Sequence, residues 1–153
     1  MKIQILLILL CFPMFCSAWT GAVHVTGRLM CGPSPYRGER VQIWDPNFLI
    51  GYSLWSEVST DESGYFSIKG AGDDWSGVNP FLWIPNYCGS STYVNKQCTE
   101  GLIQMNVPEE FISGTHTPSM TFDLGTLDLF RFKQTDRFWL SSIFGAKKEC
   151  RYV

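Results

Sequence analysis

The chain has 153 residues, 45% of them hydrophobic and 17% charged, with a formal net charge of −2. That length suits one domain with a single core, and the hydrophobic content excludes a disordered chain. The slightly acidic balance leaves no basic footprint for a nucleic acid.

Residues 1–18 read as a secretory signal: Lys2 supplies a positive charge, Ile3 to Phe12 an apolar run, Pro13 a helix break, and Ser17 and Ala18 small residues before Trp19. The apolar run is about ten residues, half of the ~20 that a membrane-spanning helix needs. The expectation is therefore cleavage after Ala18, export, and no transmembrane segment in the mature chain. The last residues, KKECRYV, form no hydrophobic tail, so a glycolipid anchor is not expected.

Beyond the leader, short alternating runs separated by Gly, Pro, Asn and Asp replace helical periodicity, the pattern of an all-β sandwich. AVHVTGRLM, residues 22–30, places Val23, Val25, Gly27 and Leu29 on one face and His24, Thr26 and Arg28 on the other. CGPSPYRGE turns the chain, and RVQIWD sends Val41 and Ile43 one way and Gln42 and Trp44 the other. A loop and then a strand around Tyr52 to Val58 come next. TDESGYFSIKG reads as a hairpin with Gly64 in the turn and Phe66 and Ile68 facing the core. GAGDDWSG reads as a glycine-rich loop, followed by strands in NPFLWIPNYC and GLIQMNVP. FDLGTLDLF, residues 122–130, is expected to be the last strand. About seven strands suit an immunoglobulin-like sandwich.

Cleavage would remove Cys11 and Cys16 and leave Cys31, Cys88, Cys98 and Cys150. An even number in an oxidising compartment implies two disulfides, with three possible connectivities. The polar stretch GSSTYVNKQ is short enough to close locally, which favours Cys88 with Cys98 and leaves Cys31 for Cys150. No C-x-x-C pair occurs, and His24 and His116 are the nitrogen ligands available, so neither a metal nor another cofactor is expected. Calcium-loop spacing is missing around Asp61, Glu62, Asp73 and Asp74. Without G-x-S-x-G, and with no carboxylate near either histidine in sequence, no catalytic residue is assigned.

Several blocks, in order, resemble the transthyretin-like proteins secreted by nematodes: V-T-G-R-L-M-C-G at 25–32, R-V-Q-I-W-D at 40–45, T-D-E-S-G-Y-F at 60–66, N-P-F-L-W-I at 79–84, V-P-E-E-F-I at 107–112 and T-F-D-L-G-T-L-D-L at 121–129. The resemblance implies a prealbumin-like, seven-stranded sandwich, secretion, and binding instead of catalysis. Hydrolases that share the transthyretin fold end in Y-R-G-S, where this chain ends in C-R-Y-V. The loop after Trp44 lacks the acidic charge common in the family, and the stretch from Phe130 to Cys150 is longer and more aromatic than the family's usual tail.

The expected organisation is a signal peptide at 1–18, a sandwich domain at 19–130 and an aromatic extension at 131–153. Candidate binding residues are Trp75, in a polar loop, and Phe138, Trp139 and Phe144 in the extension. The expected function is secreted recognition of an extracellular protein or cell-surface partner. Carriage of a small apolar or lipid ligand is the alternative, and hydrolysis the weaker one.

Overall fold

The computed structural model describes residues 18–47, 51–99, 101–132 and 149–153. The expected leader and the candidates Phe138, Trp139 and Phe144 lie outside them. The described strands are β1 (Trp19–Cys31), β2 (Ser34–Pro35), β3 (Arg40–Asn47), β4 (Gly51–Ser59), β5 (Tyr65–Asp74) and β6 (Phe81–Asn86). They continue with β7 (Thr92–Tyr93), β8 (Lys96–Cys98), β9 (Gly101–Asn106), β10 (Thr121–Asp128) and β11 (Cys150–Tyr152), with one 3-10 turn at Glu109–Phe111. The chain is all-β with two disulfides.

One sheet centres on β1, with β5 antiparallel along nearly its whole length, β10 parallel on the other side and β2 closing the turn. The other runs β4-β3-β6-β9, antiparallel throughout. Their facing residues follow the period-two pattern. Val23, Val25, Leu29, Phe66 and Ile68 meet Val41, Ile43, Leu82, Ile84 and Ile103, each at most 3% exposed. Full burial of such side chains contributes roughly 1.5–3 kcal/mol apiece before entropy is counted. Gly27 makes room on this face, because a Cβ there would sit 3.0 Å from both Leu124 and the Phe66 ring. Opposite it, Gly125 at φ 68 takes up the extra residue of a bulge in β10.

Three expectations need correction. The first is GAGDDWSG, whose opening residues Gly70 to Asp74 extend β5 and pair with β1 down to Trp19. The glycines are there for packing. A Cβ on Gly70 would lie 3.1 Å from Trp55 Cβ, one on Gly72 would collide with the Trp55 indole, and one on Gly21 would meet Val78 at 2.6 Å. The second is the position of the last strand, because β11 follows β10 and pairs with β8 in a small third sheet with β7.

The third is the disulfide pairing, which is Cys31–Cys88 and Cys98–Cys150. The ends of β1 and β6 converge: Tyr87 N–H donates to the Tyr36 hydroxyl, and Asn86 Nδ2 donates to the Leu129 carbonyl, whose own N–H reaches Met30. That brings Cys88 to Cys31. Cys98 stands directly opposite Cys150 in the β8–β11 register. The segment between Cys88 and Cys98 closes through the β7–β8 hairpin, with Val94 and Asn95 both at positive φ, instead of through sulfur. The bridges enclose sequence separations of 57 and 52 residues, worth on the order of 4 kcal/mol each in the chain-entropy model. Arg151 holds β11 further, reaching both Glu39 carboxylate oxygens at 2.7 Å and lying 4.1 Å above the Tyr87 ring.

Candidate functional site

The register of β1 and β5 places Trp19 opposite Asp74, the residue before Trp75. Two tryptophans therefore share one end of the sandwich, and they remain 66% and 63% exposed. Large aromatic side chains left in water contribute nothing to the core, and such residues are enriched at contact sites. Trp75 was singled out by its polar loop. Trp19 was missed because the residue beside an expected cleavage site belongs to no visible strand, and only pairing with β5 shows its place.

Polar groups surround the pair. Thr20 Oγ1 donates to Asp73 Oδ1 at 2.7 Å, and His116 Nε2 lies 3.1 Å from Asp73 Oδ2. These two hydrogen bonds hold the Asp73 carboxyl below the usual aspartate range. His116 thus has the carboxylate neighbour that its sequence context does not reveal, 43 residues away. The loop carrying it is docked on β1 by paired backbone bonds between Ala22 and Ser113, at 3.0 and 2.9 Å.

Beside this end lies a cleft of about 350 Å³, formed by Val78, Asn79 and Pro80 on one side and Asn106, Val107 and Glu109 on the other. Behind it, Asp45 is 1% exposed and its Oδ1 accepts the Asn79 N–H at 2.7 Å. Burial pushes the Asp45 carboxyl up to about 6; the Asn79 bond opposes that rise and the charge of Asp74 adds to it. Asp74, 2% exposed, accepts from Ser76 N–H and Oγ at 2.8 Å, while its Oδ2 has no hydrogen-bond partner among the described residues.

His24 lies on the outer face of the β1 sheet, as the alternation predicts, between two hydroxyls: Ser67 Oγ at 2.9 Å from Nε2 and Thr121 Oγ1 at 2.7 Å from Nδ1. Burial first, and then Lys69, lower its pKa. A neutral imidazole can accept from Ser67, but a hydroxyl occupies the second nitrogen where a charge-stabilising carboxylate would orient a general base. No group of three or more His, Cys, Asp or Glu side chains among the described residues could hold a metal ion. No helix among them is long and apolar enough to cross a membrane.

A model of the transthyretin-like family matches residues 26–108, more than half of the chain. The chain belongs to the transthyretin-like family. The matched stretch runs from the middle of β1 to Pro108, two residues past β9, and includes Trp75, Cys31, Cys88 and Cys98. Among curated relatives, transthyretin-like protein 46 of Caenorhabditis elegans is 27% identical over 114 residues, 71% of this chain and 59% of that protein. The chain therefore spans less than two thirds of that relative. Transthyretin-like protein 1 of the same organism is 25% identical over 143 residues, 86% of this chain and 80% of its own length. Among solved structures, a 9R-lipoxygenase from Cyanothece PCC8801 is 16% identical, covers 76% of this chain and 18% of that one, and superposes with a TM-score of 0.39, which carries no argument.

Proposed function

We propose that this transthyretin-like chain is a secreted, non-enzymatic binding protein that recognises an extracellular or cell-surface partner. The observation that carries the reading is that two exposed tryptophans, Trp19 and Trp75, stand at the same end of the β1–β5 ladder. Export is supported by the three-part leader pattern at 1–18 and by two disulfides, which persist in oxidising compartments. The organisation proposed is a sandwich domain at 19–130 followed by an extension at 131–153. Within that extension Cys150 and Arg151 anchor the end of the chain to the sandwich. Carriage of a small apolar or lipid ligand, the alternative reading, would draw on Phe138, Trp139 and Phe144, which lie outside the described residues.

The test is capture of partners from extracellular fluid and intact cell surfaces with the protein collected from the medium of a secreting host. A specific partner should be retained by the wild type and lost at least tenfold from Trp19→Ala and Trp75→Ala. Full capture by both variants would overturn the assignment of the site, and retention of the product inside the host would overturn export.

A further inference from the structure

We infer that the tryptophan end is a docking surface for a basic protein segment, one that presents arginine or lysine side chains to Trp19, Trp75 and the neighbouring carboxylates. The inference rests on the binding reading above and adds the chemistry of the partner.

Charge is sorted along the strands. β3 begins at Arg40 and carries Asp45 near its other end, while β5 ends in Asp73 and Asp74 opposite the start of β1. Glu109 lines the cleft at that end, and Glu110 follows it. Among the described residues, Arg28 pairs with Tyr65 at the far end of the same ladder, Arg37 bonds Glu62 in the β4–β5 turn, and Arg151 holds Glu39. Lys69 lies midway, opposite His24. The potential cations beside Trp19 and Trp75 are His116, already against Asp73, and the α-ammonium that cleavage after Ala18 would create on Trp19; Asp73, Asp74, Glu109 and Glu110 outnumber them. Clustered carboxylates give this end a negative potential that attracts a cationic partner and disfavours an anionic one.

The tryptophans select among cations. An indole face attracts a guanidinium or ammonium, and a planar guanidinium can also stack on it. Val78 and Ile112, both half-buried, offer apolar wall for the methylene stem of a long basic side chain, with Glu109 and the amides of Asn79 and Asn106 near its head. A hydrophobic partner would desolvate the Glu109 carboxylate without pairing it, and an acidic one would be repelled.

The probe is an acetylated, amidated peptide, Gly-Arg-Gly-Arg-Gly, titrated into the isotope-labelled full chain and followed by NMR, with a citrulline-for-arginine copy as the neutral control. The expected result is movement of the Trp19 and Trp75 indole N–H signals, a Kd at least fivefold weaker for Trp75→Ala and for the pair Asp73→Asn with Glu109→Gln, and weakening in raised salt. Glu62→Gln, at the opposite end, should leave Kd unchanged. Equal binding of the citrulline peptide, shifts confined to the opposite end, or stronger binding to phosphatidylcholine vesicles than to the peptide would overturn the inference. Suppose a captured native partner is lost with Trp75→Ala yet withstands Asp73→Asn, Glu109→Gln and salt. The binding reading would then stand and the basic partner would be refuted.

Discussion

Replacing Asp45 by asparagine isolates the cost of burying its carboxylate. The side chain is 1% exposed, and its pKa rises from 3.8 to about 6, chiefly through burial. A raised carboxyl pKa means that the folded chain holds the proton more tightly than the unfolded chain. The stability this group contributes is therefore fully present below 3.8 and is lost as pH rises through about 6. The full span corresponds to roughly 3 kcal/mol, of which roughly 1.3 kcal/mol develops between pH 7 and pH 5. Asp45→Asn keeps an acceptor for the Asn79 N–H and carries no charge at any pH. Denaturant unfolding of both proteins, with disulfides intact and followed by tryptophan fluorescence at pH 7, 6 and 5, gives the difference in stability at each pH. Groups common to both proteins cancel. The wild type should gain on the variant by about 1 kcal/mol as pH falls from 7 to 5, and at pH 7 the variant should unfold at equal or higher denaturant. A difference that stays constant across this range would refute the reasoning.

Gly72→Ala should lower stability by about 1–3 kcal/mol, read as a fall in Tm by calorimetry, because the new methyl meets the Trp55 indole. Gly114→Ala, with open space around its Cβ, should leave Tm unchanged. Tyr36→Phe removes a hydroxyl that donates to the Pro85 carbonyl at 3.0 Å and accepts from Tyr87 N–H at 2.9 Å. Two buried backbone groups lose their partner, and urea unfolding should show a loss of about 1–3 kcal/mol. Non-reducing digestion with mass spectrometry should yield linked peptides containing Cys31 with Cys88 and Cys98 with Cys150. A Cys88–Cys98 peptide would contradict the fold.

The core faces of β1 and β5 were legible because alternation is local: Val23, Val25 and Leu29, and then Phe66 and Ile68, needed no knowledge of their partners. The Asp61 turn was legible for the same reason, its Oδ1 accepting the N–H groups of Ser63 and Tyr65 at 2.8 and 2.9 Å. Gly70 and Gly72 misled because glycine signals either a loop or a close approach, and only Trp55 on β4 distinguishes the two. The candidate site was half legible. A tryptophan in a polar loop is visible as a misfit, but its partner Trp19 lies 56 positions earlier.

The sequence by itself determined the all-β class, the alternating core and the family, since each depends on residues near one another along the chain. Disulfide partners, the Asp73–His116 contact and the buried Asp45 beside Asp74 were decided by tertiary structure alone. Each joins residues separated by tens of positions, and the free energy of such a contact depends on strand register and burial, which no local pattern encodes. The same is true of the two tryptophans. Their spacing in sequence says nothing, and the β1–β5 ladder sets both at one end of the sandwich.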